Sequence, residues 1–263
     1  MLSFIGCIIA LHHFVQFIYA NYILITNALT TVFGSVFQAI TASIGNLGAT
    51  ESDKKSESIF DCINFLGFWI YGFASICLFV LLNPFIELWL GKEYLFSEII
   101  VISFLINFYL TGMRRAILTF RDAFGLYWYD RYKPLIESLV KISLSIFLIY
   151  KMGIVGAFIG TSLSTILTCF WMEPYVLYKY GFHSSLYTYF KKYIIYTITL
   201  IFAGAITWSS VSFLNGSSYL VFVLKLINCL VIPNLIFILV YKNSREFRYI
   251  FYTLKSNIKW IDK

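Results

Sequence analysis

Residues 110–145 read LTGMRRAILTFRDAFGLYWYDRYKPLIESLVKISLS and join two apolar segments through a basic loop. The loop region carries five cations, which are Arg114, Arg115, Arg121, Arg131 and Lys133. The second apolar segment keeps Glu137 and Lys141 inside its hydrophobic run. Because charge at membrane depth is costly, ionisable residues there are candidates for a functional site. We therefore expect the functional residues in and around this region.

The composition of the whole chain indicates an integral membrane protein. Hydrophobic residues make up 60% of it, aromatic residues 20% and charged residues 13%, whereas soluble domains average roughly 25% charged residues. Several apolar blocks reach about 20 residues, enough for a helix to cross a hydrocarbon core of about 30 Å. No alternation of apolar and polar residues separates these blocks. The sequence therefore predicts an all-α bundle of transmembrane helices.

We expect seven complete spans, at residues 15–44, 63–82, 97–120, 133–150, 154–177, 193–213 and 219–241. The second of them is expected to close at Asn83-Pro84, since proline favours a helix end. The apolar run at residues 2–11 is short and predicts a truncated span ahead of the first helix. Pro134 suits the first turn of the 133–150 helix. The spacing Gly156-xxx-Gly160 predicts a tight hairpin between the 133–150 and 154–177 spans.

The basic residues set the predicted topology. Of the 20 Lys and Arg residues, 16 lie in the loops at 46–61, 113–133 and 178–192 and in the tail from residue 242. Such asymmetry is typical of cytoplasmic loops, and it explains the net charge of +7 without a nucleic-acid partner. We therefore predict a multi-pass protein of the cell membrane. With the partial span counted as a crossing, both chain ends are expected to face the cytoplasm.

Polar residues recur about once per turn in the first long helix: Asn27, Thr31, Ser35 and Gln38. This spacing places them on one face. In a membrane helix such a stripe either forms hydrogen bonds to other helices or lines a water-filled cavity. The sequence leaves both interpretations open.

Glu137 and Lys141 lie one turn apart, which predicts an ion pair within the helix. One interpretation is that they mark the inner end of a span, where long side chains reach the interface. The other is that Lys141, with Arg114 and Arg115, presents positive charge to the diphosphate of a lipid, because guanidinium and ammonium groups bind phosphate through charge-assisted hydrogen bonds. The candidate binding residues are therefore Arg114, Arg115, Lys141, Glu137, Asn27, Thr31 and Gln38.

The remaining acidic residues of this region, Glu173, Asp122 and Asp130, are expected to form salt bridges. No Ser/His/Asp set, phosphate-binding glycine loop or Asp-x-Asp glycosyltransferase signal occurs in the sequence, and the cysteines and histidines lack metal-ligand spacing. The residues alone therefore predict no catalytic site, no metal and no cofactor.

Four separate motifs, in order along the chain, resemble bacterial polysaccharide flippases. They are TASIGNL at residues 41–47, NPFIELWLGKEY at 83–94, LTFRDAFGLYWYDRYKP at 118–134, and GIVGAFIGTSLST at 153–165 with WMEPYVLYKYGF at 171–182. The family is the Wzx-type branch of the multidrug/oligosaccharidyl-lipid/polysaccharide exporter superfamily. The resemblance extends from about residue 15 to the C-terminus.

The resemblance implies transport of undecaprenyl-diphosphate-linked oligosaccharide repeat units for capsule, exopolysaccharide or O-antigen biosynthesis. Such proteins have two six-helix lobes around a cationic cavity, and this chain has about half their length. Residues 1–178 are then the second lobe with its first helix truncated, residues 179–241 two additional helices, and residues 242–263 a basic cytoplasmic tail. A separate chain is expected to supply the other lobe.

Two further hypotheses stay open at the level of sequence. A membrane-embedded polysaccharide polymerase or glycosyltransferase shares many spans and a high aromatic content, but the predicted outward loops are all short. The other hypothesis is a truncated gene product without transport activity, which the short first span favours.

Overall fold

The structure, a computed structural model, describes residues 2–214, 216 and 218–261, and the side chains of all of these except residues 2–17, 154 and 254–261. The described residues form helices and contain no strand, which confirms the all-α prediction for this part of the chain. The helices are α1 Leu2–Thr50, α2 Asp53–Trp89, α3 Glu98–Ala123, α4 Lys133–Met152, α5 Ile154–Leu167, α6 Cys169–Val176, α7 Tyr187–Ser212, α8 Tyr219–Tyr241 and α9 Arg245–Ile261. Short 3₁₀ turns lie at Lys92–Tyr94 and Leu126–Trp128, and a π-helical segment at Leu177–Phe182.

Six segments of the described chain are long and apolar enough to cross a membrane. They are Ile18–Thr50, Asp53–Trp89, Glu98–Ala123, Val155–Phe182, Tyr187–Ser212 and Tyr219–Tyr241. These segments support the prediction of a multi-pass membrane protein. Helix α4 has 20 residues but carries the four charged residues Lys133, Glu137, Lys141 and Lys151, and it is not among these six segments. The predicted count of seven complete spans is therefore not confirmed.

Helix α1 corrects the prediction for the start of the chain. The expected truncated span and the expected long helix are one continuous helix of 49 residues. No proline or glycine lies between Cys7 and Phe33, so nothing in this segment ends a helix. The expectation that both chain ends face the same side depended on a separate crossing before residue 15. The described helix contains no such crossing.

Helix α2 also runs further than predicted, because Pro84 lies inside it and the helix ends at Trp89. The Asn83 side chain accepts a hydrogen bond from the Tyr22 hydroxyl at 2.6 Å and donates to the carbonyl of Phe96 at 3.2 Å. Proline is tolerated within membrane helices where neighbouring groups stabilise the local backbone. These contacts tie α1, α2 and the α2–α3 connection together at this level.

Helix α2 is the centre of the core and contacts α3, α7, α8 and α9. Phe68 stacks on Tyr196 of α7 with ring centroids 4.6 Å apart, and it lies 4.9 Å from Phe237 of α8. Phe60 meets Phe120 of α3 edge to face at 5.3 Å. Because helices in lipid associate largely through close contact, such ring pairs stabilise the bundle. Helices α7 and α8 share this core with α2, and the predicted boundary after residue 178 stays a prediction from the resemblance.

Helices α4 and α5 form the predicted tight hairpin. Gly153 connects them with a φ of 61°, a value that glycine adopts without strain. A Cβ atom on Gly156 would lie 2.1 Å from the carbonyl oxygen of Leu148, and one on Gly160 would lie 3.0 Å from the Cα atom of Ser145. The two backbones therefore touch where both glycines lie, and the prediction from their spacing is confirmed.

The loops that were predicted to share one side of the membrane lie together at one end of the bundle. We call this the basic end (residues 50–55, 121–133, 179–192 and 241–248). There, His183 Nδ1 lies 3.1 Å from Asp53 Oδ2, and Tyr129 stacks on Tyr180 with centroids 3.8 Å apart. The structure thus brings these loops together as the charge pattern predicts. Which side of the membrane they face stays a prediction.

Candidate functional site

Glu173 of α6 is the centre of an ion cluster towards the basic end, and its side chain is 0% exposed. Arg114 of α3 donates two hydrogen bonds to it, from Nε to Oε2 at 2.8 Å and from Nη2 to Oε1 at 2.6 Å. Lys133, the first residue of α4, donates to the same Oε1. A buried charge is tolerated when paired cations satisfy it in this way. The predicted salt bridge at Glu173 is confirmed, and it joins α3, α4 and α6.

Glu137 faces Arg114 and does not pair with Lys141 as the helical spacing predicted. Its Oε1 lies 3.7 Å from Arg114 Nη1. Lys141 is exposed on α4 and forms no ion pair with any residue whose side chain is described. The prediction of a Glu137–Lys141 pair was wrong because a desolvated guanidinium on α3 attracts the carboxylate more strongly than an exposed lysine does.

A second ion cluster lies beside the first, in the α3–α4 connection. Arg121 Nη1 lies 2.6 Å from Asp130 Oδ2, and its Nη2 lies 2.8 Å from Asp122 Oδ1. Lys133 approaches Asp130 at 3.9 Å. The predicted salt bridges of Asp122 and Asp130 are thereby confirmed. Arg114, Arg121 and Lys133 are all paired with carboxylates of the chain, so their charge is largely neutralised.

Arg115 differs from its neighbour Arg114, because successive residues of a helix point about 100° apart. Its guanidinium carbon lies 3.8 Å from the position of a Cβ atom on Gly34 of α1. Its Nε is buried and lacks a hydrogen-bond partner, and its guanidinium interacts with the neighbouring Tyr71 hydroxyl. Arg115 forms no ion pair with any described carboxylate. It is therefore a cation with unused capacity to bind an anion.

The polar stripe of α1 lies next to Arg115. Asn27, Thr31 and Gln38 are exposed, and the Thr31 hydroxyl donates only to the carbonyl of Asn27, at 2.8 Å. The stripe thus makes no hydrogen bond to another helix within the described part of the chain. Gly34 is three residues from Thr31 and four from Gln38, which places it at the edge of the same face.

These residues form one surface, which we call the Arg115 face (Arg115, Asn27, Thr31 and Gln38). It combines one guanidinium that is not paired with any carboxylate in the described part of the chain with amide and hydroxyl groups on the outside of the bundle. Exposed polar groups are unfavourable against lipid, so this face suits a water-filled cavity or a polar partner. Of the other predicted residues, Arg114 and Glu137 lie in the Glu173 cluster, and Lys141 lies apart on α4.

A third ion cluster at the basic end was not predicted. Lys192 of α7 lies 2.7 Å from Asp61 of α2 and 2.6 Å from Glu246 of α9. Burial opposes the ionisation of Glu246, but the hydrogen bond from Lys192, a backbone hydrogen bond and the charges of Lys192 and Arg245 together outweigh it and hold the pKa of Glu246 below its ordinary value. The signal in the sequence was Asp61, an acidic residue at the start of an apolar run that requires a cation partner.

The cluster attaches α9 to the bundle together with Phe247, which stacks on Trp69 at 5.8 Å. The tail was predicted to be a basic cytoplasmic segment, and its described part is a helix held against α2 and α7. The side chains beyond residue 253, which include Lys255 and Lys259, lie outside the described ones.

Comparison of the chain with protein-family models, with curated proteins and with solved structures finds no match. The functional interpretation therefore depends on the residues and their geometry, together with the resemblance of the four sequence motifs.

Proposed function

We propose that this chain forms one lobe of a transporter that moves undecaprenyl-diphosphate-linked oligosaccharide repeat units from the cytoplasmic to the outer leaflet of the cell membrane. These units serve capsule, exopolysaccharide or O-antigen assembly. The observation that carries the proposal is Arg115, a cation that forms no ion pair with a carboxylate among the described side chains and that lies beside an exposed polar stripe. The four ordered motifs give independent support for this class of transporter.

In this proposal the Arg115 face meets the cargo at one side of the transport cavity, and a second lobe lies opposite it. The Arg115 guanidinium binds a diphosphate oxygen through charge-assisted hydrogen bonds. Asn27, Thr31 and Gln38 offer hydrogen bonds to sugar hydroxyls. Because Glu173 already engages Arg114, Arg114 and its neighbour Glu137 position α3 against α4 and α6 and do not contact the cargo.

The test is complementation of a strain that lacks the gene. Wild type, Arg115→Ala and Arg115→Lys are expressed at equal abundance, with Lys191→Ala as the control, since Lys191 is an exposed lysine at the basic end. A charge-assisted hydrogen bond contributes about 1.5–3 kcal/mol, so Arg115→Ala should weaken cargo binding by about tenfold or more. Surface polysaccharide should fall, and lipid-linked repeat units should accumulate in membrane extracts analysed by mass spectrometry.

Arg115→Lys should retain part of the activity, because it keeps the charge and loses the bidentate geometry. The Lys191→Ala control should behave as wild type. Normal polysaccharide and no accumulated repeat units in the strain without the gene would reject the transport function. Full activity of Arg115→Ala would reject only the proposed role of Arg115 and would leave the transport function standing.

A further inference from the structure

A groove of about 420 Å³ lies on the outer surface of the bundle, between α4 and α6. Most of the groove is lined by the apolar parts of large side chains, namely Ile136, Leu167, Trp171, Met172 and Tyr175. Leu167 and Trp171 are 58% and 54% exposed, so the groove is open to whatever surrounds the bundle. Within a membrane-spanning segment, these surroundings are lipid chains.

The groove leads to a cation at the basic end. Leu167, Trp171, Tyr175 and Lys179 follow at intervals of four residues, which places them along one side of the α5–α6 segment. Lys179 Nζ donates a hydrogen bond to the Tyr175 hydroxyl at 2.6 Å and lies 5.3 Å from the centre of the Tyr180 ring. Lys179 is exposed and forms no ion pair with any carboxylate among the residues described. Its charge is therefore free for an external anion.

A second such cation lies at the same end. The Arg131 guanidinium lies 3.8 Å from the centre of the Trp128 ring and 4.8 Å from that of Tyr132. Like Lys179, it forms no ion pair with a described carboxylate. Tyr132 directly precedes Lys133, which lines the groove, and the stacked pair Tyr129–Tyr180 links the α3–α4 connection to the Lys179 segment.

We propose that this groove binds one anionic phospholipid of the leaflet at the basic end. An acyl chain lies along Leu167, Trp171 and Tyr175, and the phosphate lies at Lys179 with Arg131 nearby. Tyrosine and tryptophan favour the level of lipid headgroups, and basic residues at that level attract anionic lipids. The contrast with Arg114, Arg121 and Lys133 supports the assignment, because those cations are neutralised by carboxylates of the chain. The site does not depend on the transport function.

The experiment uses the purified full chain in nanodiscs made of equal parts phosphatidylglycerol and phosphatidylethanolamine. Either the first or the second lipid carries brominated acyl chains, which quench nearby tryptophan fluorescence. The fluorescence of Trp171 is obtained as the difference between the emission of wild type and that of Trp171→Phe. We expect stronger quenching of Trp171 by brominated phosphatidylglycerol than by brominated phosphatidylethanolamine.

Removal of the Lys179 charge should reduce this preference about fivefold, the effect of one basic residue near an anionic surface. Lys179→Ala with Arg131→Ala should reduce it further, and Lys191→Ala should leave it unchanged. The proposal is overturned if the two lipids quench Trp171 equally, or if Lys179→Ala keeps the full preference. Loss of the preference for phosphatidylglycerol on addition of polyprenyl phosphate equimolar with the protein would also overturn it, because the groove would then select a carrier lipid over phospholipid present in large excess.

Discussion

Substitution of Glu173 by glutamine keeps the shape of the side chain and removes the charge at the centre of the cluster. Glu173 is 0% exposed and accepts hydrogen bonds from Arg114 and Lys133. At about 1.5–3 kcal/mol for each charged hydrogen bond, three independent bonds would sum to about 4.5–9 kcal/mol. The bonds share one carboxylate and are not additive, and the amide oxygen of glutamine still accepts one. We expect the free energy of unfolding to fall by about 3–5 kcal/mol, as for other broken buried pairs.

The assay is denaturant unfolding of the purified protein in detergent micelles, followed by circular dichroism. The matched control is Glu87→Gln, because Glu87 lies 3.7 Å from the exposed Lys92, and such pairs contribute about 0–1 kcal/mol. A triple variant places apolar residues at all three cluster positions: Arg114→Leu, Lys133→Met and Glu173→Leu. Its free energy of unfolding should be closer to that of wild type than the value for Glu173→Gln is. If Glu173→Gln costs no more than Glu87→Gln, the cluster does not hold α3, α4 and α6 together.

Two further predictions concern the hairpin and the tail helix. Gly156→Ala places a methyl group 2.1 Å from the Leu148 carbonyl oxygen and should cost about 1–3 kcal/mol in the same unfolding assay. Gly204→Ala, whose Cβ would lie 3.8 Å from Ile76, should cost little, and equal costs would refute the close contact. The pKa of Glu246 is lowered in the folded protein. The ionised carboxylate therefore stabilises the attachment of α9 fully above the ordinary pKa of about 4.3, and this stabilisation is lost as pH falls through the lower folded-state pKa. Amide hydrogen exchange of α9 should therefore accelerate below about pH 4 in wild type, whereas Glu246→Gln should exchange faster without that pH step.

The parts of the fold that depend on local or repeated patterns could be predicted from the sequence. Long apolar blocks predicted helices that can cross a membrane, and the spacing of Gly156 and Gly160 predicted the α4–α5 hairpin. The distribution of basic residues predicted which loops lie together. Each of these signals uses the composition of one segment or the spacing within one helix, so no knowledge of distant contacts is required.

The parts that could not be predicted depend on which helices meet. Glu137 has a local cation four residues away, yet it faces Arg114, which is 23 residues earlier in the chain. Pro84 was expected to end a helix, but α2 continues through it to Trp89. At this point the Asn83 side chain forms hydrogen bonds with α1 and with the α2–α3 connection. The same limit applies to the candidate site. Spacing indicated the stripe on α1, but only the packed helices show that Arg115 lies beside it and Arg114 does not.

The different environments of two adjacent arginines affect how any mutational survey of this gene should be scored. Under the proposed transport function, a selection for surface polysaccharide alone would group losses at Arg114 and Arg115 as equivalent hits, because both would lower the output. A parallel measurement of protein abundance in the membrane should separate them. Variants at Arg114 should be depleted from the membrane, whereas variants at Arg115 should accumulate to normal amounts and fail only in the proposed transport.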